Sequence, residues 1–257
     1  MAGHLGHVAL MDHLTKKLLC EFSTQEQITD GIFMQNEKML ALAQRKWTYV
    51  YDNKGIELHC LKQFNNVTKL HYLPHHFLLT SINQTKHLQY LDISLGKVIH
   101  QTQVTEDGAL SSLTSNPTNG ILHIGHYNGT VTLWSPNQPK FVAKMMAHRS
   151  NILDCAVTRD GNYMATSSMD SSVKIWDLRN WKCLATHRLP RGASHLAFSQ
   201  MGKLATAFGN VVELWADAQD PEMCSGLNLL SLCFVTSFLT SVIGSVKDNI
   251  KLNIEVS

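Results

Sequence analysis

The chain has 257 residues, 44% of them hydrophobic and 16% charged, with a formal net charge of +2. That is enough apolar material for one large domain or two small ones. The near-neutral balance excludes a chain-wide basic field for nucleic acid or acidic membrane, so any such contact has to be local. The six cysteines (Cys20, Cys60, Cys155, Cys183, Cys224 and Cys233) contain no CxxC pair. This argues against a zinc ribbon or a disulfide framework and suits a reducing compartment. Three short glycosylation sequons, at Asn66, Asn83 and Asn128, carry little weight without a recognisable signal peptide.

In chain order, the first element is the alternating run GHVALMD, ending at Asp12 and followed by KKLLCEF. Runs of the same type end at Asp52 (TYVYD), Asp92 (LQYLD), Ser135 (VTLWS), Asp177 (VKIWD) and Ala216 (VELWA). The intervals are 40, 40, 43, 42 and 39 residues. Between them the chain repeats one course: an alternating apolar run, a turn, a short apolar-small run such as MLALAQ or YMATSS, a second turn, the KIWD-like run and a final strand. Turn residues stand where strand ends need them, at Gly96, Asn116-Pro117, Asn128-Gly129 and Asp160-Gly161. No long window shows helical periodicity. Four strands per repeat of this period predict an all-β chain of the WD40-type β-propeller, with about five complete blades and partial blades at the termini.

The repeat at 148–185 resembles the WD40 family most closely. It holds the family's structural hydrogen-bond tetrad, namely His148 before the first strand, Thr166 on the second, Asp170 in the following turn and Trp176 on the third. An indole N–H only donates, a carboxylate only accepts, and His and Thr can relay between them. His148 and Asp170 are therefore expected to lock strand register rather than to form a catalytic pair. The other repeats depart from this pattern. Tyr51 and Leu91 stand at the Trp position in the second and third repeats. In the fourth, Asn128 replaces the Asp before Trp134 and Ile124 replaces the hydroxyl residue. In the sixth, Gly209-Asn210 replaces the acidic turn before Trp215. These blades are expected to rest on packing alone.

The ends are less regular. GHVALMD and KKLLCEF read as the third and fourth strands of a blade whose first two are absent. Met223–Val246 has no charged residue and is long enough to span a bilayer, yet it is rich in Ser and Thr and has no flanking basic cluster, so buried strands are the preferred reading. LNLLSLCFV is expected to open a further blade, with TSVIGSVKDNIKLNIEV as its second and third strands and Asn253 at the Trp position. The propeller thus occupies residues 1–216 and a divergent tail 217–257, in a chain that looks cut at both ends.

Chemistry of other kinds is sparse. Fourteen histidines include the clusters His4/His7, His71/His75/His76 and His123/His126, but on strands residues three apart point to opposite faces, which disfavours a metal site. No nucleotide, nucleophile or zinc-protease motif occurs, no set of polar residues is evident for a central channel, and no catalytic residue, cofactor or small-molecule substrate is expected. Five of the six arginines fall within 149–191. Arg149, Arg188 and Arg191 are expected on the face carrying the loops that lead into each blade, and Arg159 and Arg179 on the opposite face. Arg149, Arg179, Arg188 and Arg191 are the candidate contacts for RNA phosphate or an acidic protein patch.

Several stretches, among them DNKGIELHCLK, YLPHHFLLTS, NPTNGILHIGHYNGTVTLWSP and LPRGASHLAFSQMGKLATAFGNVVELWA, are similar to the WD-repeat family of the small-subunit processome, the assembly organised around the U3 small nucleolar RNA. The resemblance runs from about Gly3 to Ala216. It implies a nucleolar, non-enzymatic scaffold in 18S rRNA processing, with processome proteins and pre-rRNA or U3 RNA as partners. The alternative is a substrate receptor of a cullin-type ubiquitin ligase, for which Trp176-Asp177-Leu178-Arg179 supplies a WDxR pattern.

Overall fold

A computed structural model describes residues 6–12, 15, 17–35, 38–104, 109–215 and 224–228. The elements of these residues are strands. β1 (His7–Met11) and β2 (Leu18–Ser23) form a two-stranded antiparallel sheet. β3 (Ile28–Phe33), β4 (Met39–Gln44), β5 (Trp47–Asp52) and β6 (Glu57–Asn65) make the second sheet. The third contains β7 (Val67–Leu73), β8 (Leu78–Asn83), β9 (His87–Asp92) and β10 (Lys97–Gln103). The fourth contains β11 (Leu110–Ser115), β12 (Leu122–His126), β13 (Thr130–Trp134) and β14 (Ala143–Met146). The fifth contains β15 (Ile152–Val157), β16 (Tyr163–Ser168), β17 (Ser172–Asp177) and β18 (Lys182–Arg188), and the sixth β19 (His195–Phe198), β20 (Leu204–Phe208), β21 (Val211–Trp215) and β22 (Cys224–Asn228). Each four-stranded sheet is a meander in sequence order, and the fold is a WD40-type β-propeller.

Burial follows each strand's place. The second strands β8 and β12 are buried along their whole length, because both faces are covered by neighbouring sheets. The last strand β10 alternates half-buried and exposed residues, as an outer strand with one wet face does. The cores lie between successive sheets. Val8 and Leu10 meet Leu40, Leu42 and Tyr51, while Leu73, Ile82, Leu88 and Tyr90 meet Leu122, Ile124 and Trp134. Val173 and Ile175 meet Leu196, Leu204 and Trp215.

The first strands β3, β7, β11 and β15 pack on one another in order, with β15 against β19. Each of the four carries a register irregularity next to its first residue, between Ile28/Asp30, Val67/Lys69, Leu110/Ser112 and Ile152/Asp154. Such a bulge re-aims the residue that follows it.

One expectation for the tail is corrected. Cys224–Asn228 pairs with β21 in the register Val211↔Asn228 to Trp215↔Cys224, so Leu227 and Asn228 close the sixth sheet instead of opening a further one. The unpaired edge of β21 is what takes them up. The remainder of the apolar segment, the later strands expected there and Asn253 lie outside the described residues. Among the described residues no helix is long and apolar enough to cross a membrane.

Candidate functional site

In the fifth sheet, β16 and β17 bring Thr166 and Trp176 onto one face, and the loop before β15 delivers His148 to them. Trp176 Nε1 donates to Thr166 Oγ1 at 2.9 Å, and the same oxygen lies 2.8 Å from His148 Nε2. His148 Nδ1 is 3.1 Å from Asp170 Oδ2. Asp170 Oδ1 accepts from the backbone N–H and the hydroxyl of Ser172, which closes the turn. Since the carboxylate only accepts, Nδ1 carries the imidazole proton and Nε2 accepts from Thr166. Every hydrogen then has one destination, from indole to hydroxyl, from hydroxyl to imidazole, and from imidazole to carboxylate. Burial pushes the His148 imidazole below its ordinary value, outweighing the upward pull of Asp170, so the ring is neutral. Burial raises the Asp170 carboxyl, but the Ser172 hydrogen bond and His148 outweigh it and hold the group below the usual carboxylate range.

Three of the other sheets do not rest on packing alone. In the fourth, Ile124 occupies the register place of Thr166, yet Trp134 Nε1 still finds a hydroxyl, Thr132 Oγ1 at 2.9 Å, and His126 Nε2 lies 2.7 Å from that oxygen. Asn128 Oδ1 accepts from Thr130 N and Oγ1 as Asp170 does from Ser172. In the sixth, Trp215 Nε1 donates to Thr206 Oγ1 at 3.3 Å, and the buried His187 ring sits 4.5 Å from the Trp215 ring. In the second, Gln44 Nε2 donates to Tyr51 Oη at 2.9 Å. The third has an apolar residue, the buried Leu91, at this place. The physical reason is that a buried N–H needs an acceptor, not a particular residue to supply it. Thr132 was findable from sequence, because residues two apart on a strand share a face.

The first strands carry a second set that sequence reasoning missed. Asp30 Oδ2 accepts the backbone N–H of Leu70 at 2.8 Å, and Asp154 Oδ2 accepts that of Leu196 at 2.9 Å. Each carboxylate follows a bulge and bonds across to the next sheet. Burial raises the Asp30 carboxyl, and Lys69 and the N–H groups of Leu70 and Gly31 offset part of this. His71 Nε2 lies 2.7 Å from Ser115 Oγ, and burial lowers this imidazole to about 4. His195 Nδ1 is 3.7 Å from Asp154 Oδ2. Repeat spacing separates the members of this set by some forty residues, which hides them as a group. Their partners are backbone groups and side chains of adjacent sheets. Among the described residues no group of three or more His, Cys, Asp or Glu could hold a metal ion.

The candidate arginines fall on two faces. Arg179, in the turn between β17 and β18, is a bidentate partner of Asp177 (Nε–Oδ1 and Nη2–Oδ2, both 3.0 Å) and lies over the Tyr163 ring at 5.6 Å. Arg159 shares that face, in the turn after β15. Arg149, Arg188 and Arg191 lie at the opposite ends of the strands, between β14 and β15 and where β18 leads to β19. All three are exposed, and none meets a carboxylate among the described residues. The loops on this face are in contact. Gly129, at φ +84°, approaches so closely that a Cβ there would sit 2.1 Å from the His148 carbonyl oxygen. The same face carries Arg45 and Lys46 in the turn before Trp47. Lys46 Nζ and Lys62 Nζ lie 4.4 and 5.6 Å from the centroid of that indole.

Comparison with known proteins gives a match to the family described as "WD domain, G-beta repeat" over residues 139–177, which includes the complete tetrad. The chain is 47% identical over 217 residues to WD repeat-containing protein 46 of Mus musculus, covering 84% of this chain and 35% of that protein. It is 43% identical over 215 residues to the Caenorhabditis elegans protein of the same name, covering 84% of this chain and 37% of the relative. It is 40% identical over 219 residues to U3 small nucleolar RNA-associated protein 7 of Saccharomyces cerevisiae, covering 85% and 39%. The chain thus spans rather more than a third of the length of the curated relatives it matches.

Proposed function

This chain is homologous over most of its length to WD repeat-containing protein 46 and U3 small nucleolar RNA-associated protein 7, and from that relationship we propose that it is a non-enzymatic scaffold of the small-subunit processome. In this role it holds processome proteins together on pre-rRNA in the nucleolus while 18S rRNA matures. The observation that carries the reading is the 40% identity, over 85% of the chain, to a protein whose name records association with the U3 RNA.

The geometry supports a binding rather than a catalytic role. The four tetrad side chains satisfy one another, while Asp30, Asp154 and His71 are spent on joining sheets. Arg45, Lys46 and Lys62 around Trp47 combine phosphate-attracting charge with an aromatic surface, the composition that holds single-stranded RNA.

The test is to express the tagged chain in cells, then ask whether pre-rRNA and U3 RNA co-purify and co-sediment with it. Enrichment of both over a propeller of another family is expected. A soluble, cooperatively melting chain that recovers neither RNA would overturn the reading.

A further inference from the structure

We propose that a strip on the loop face of the fourth to sixth sheets, built by Tyr127, Met146, Arg149, Met169, Arg188 and Arg191, is the docking site for an acidic protein segment with an apolar anchor. The proposal does not rest on the processome reading.

The strip is continuous. The turn holding Tyr127 lies against the His148–Ser150 loop, since Ala147 N and His148 N both donate to Gly129 O and the α-carbon of Gly129 nearly touches that loop. Met146 pairs with Thr130 beside the same turn. Across the loop, Asn151 is bonded to Met169 through both backbone and side chain. Gly192 in turn lies against Met169, and Arg191 reaches towards Gly209 in the sixth sheet. Arg188 pairs with Ser172, next to the turn that carries Met169.

Its chemistry selects the partner. Met146, Met169 and Tyr127 are 68%, 59% and 50% exposed, which leaves three large apolar side chains uncovered on adjoining turns and strand ends. Methionine, tyrosine and arginine are the residues enriched at protein interfaces, and methionine adapts its shape to an apolar anchor. Among the described residues the three exposed guanidiniums have no carboxylate partner. Among the described residues of these turns and loops the only carboxylate is Asp170, and its oxygens are taken up by His148 and Ser172. The strip therefore presents uncompensated positive charge around an apolar centre, complementary to a segment that alternates acidic and apolar residues. RNA is disfavoured here, because two of the three apolar groups are flexible thioethers that offer no stacking plane.

The test uses the full chain and fluorescence anisotropy with three probes: a peptide alternating Glu and Leu, its Lys–Leu counterpart, and oligouridine. The Glu–Leu peptide is expected to bind, with affinity that weakens as salt is raised. The combined variant Arg149→Glu, Arg188→Glu, Arg191→Glu should lose at least about tenfold in affinity, and Met169→Ser should weaken binding without changing its salt dependence. Arg159→Glu on the opposite face should change nothing. If the triple variant lowers the melting temperature, Arg191→Gln alone carries the charge test. Failure of the Glu–Leu peptide to bind, preference for the Lys–Leu peptide, oligouridine binding with the same arginine dependence, or indifference to the arginine variants would each overturn the proposal.

Discussion

Replacing Thr166 by Val tests whether the fifth-sheet network stabilises the fold. The substitution keeps the branched shape and removes one oxygen, which is the acceptor for Trp176 Nε1 at 2.9 Å and the partner of His148 Nε2 at 2.8 Å. Thr166 is fully buried and the His148 side chain is inaccessible, so water cannot replace the lost partner. Each orphaned buried group costs about 1–3 kcal/mol. His148 can recover part of this by turning its other tautomer towards the Thr166 carbonyl oxygen, 3.3 Å from Nε2, at the expense of its bond to Asp170. The expected loss is therefore about 2–4 kcal/mol. For a domain of this size, each kcal/mol lowers the melting temperature by about 2–4 °C. The assay is thermal and urea unfolding of the wild type, Thr166→Val, Trp176→Phe and the double variant. In the Trp176→Phe background one orphan is already gone, so Thr166→Val should cost about 1–2 kcal/mol less there. A Thr166→Val chain within about 0.5 kcal/mol of wild type, or strict additivity with Trp176→Phe, would refute the reasoning.

Thr132→Val should destabilise by about 1–3 kcal/mol by orphaning Trp134 Nε1, and Ile124→Thr in the same chain should restore part of the loss if the second strand can supply the hydroxyl instead. Asp154→Ala should speed amide exchange at Leu196 by removing its acceptor, whereas Asp154→Asn keeps an oxygen there and should leave protection nearly intact. Hydrogen exchange read residue by residue decides it. His123 is buried and its imidazole is lowered to about 4, while the unfolded group titrates near 6.5. Below that higher value the unfolded chain takes up the proton first, so stability should fall as pH drops from about 6.5 to 4, by about 3 kcal/mol from this group, and level off below. His123→Leu should flatten that slope in urea titrations at a series of pH values.

How much of this was readable beforehand depends on how each feature is spaced. His148, Thr166, Asp170 and Trp176 sit at a fixed offset within one repeat, and the structure places them in mutual hydrogen-bond reach. The strand meanders follow from the forty-residue period and the turn residues. Thr132 escaped because its hydroxyl sits on the third strand instead of the second, although its place two residues before Trp134 put it on the right face. Asp30 and Asp154 escaped for a different reason. Their role depends on a bulge and on a neighbour in the next sheet, and neither leaves a mark within a single repeat. The strip of the loop face was half visible: the arginine cluster stood out in the sequence, while the turns and strand ends that carry Tyr127, Met146 and Met169 adjoin only through the contacts between loops.

The fourth sheet shows how a repeat can drift away from its consensus without losing its anchor. Because a hydroxyl on either strand satisfies the same indole, an ancestor bearing both could have lost either one with no unstable intermediate. Substitution at that position is then close to neutral, and it accumulates along a tandem array. A pattern tied to one location will pass over a copy that has drifted in this way, and the matched stretch, residues 139–177, stops short of including the fourth sheet's Trp134.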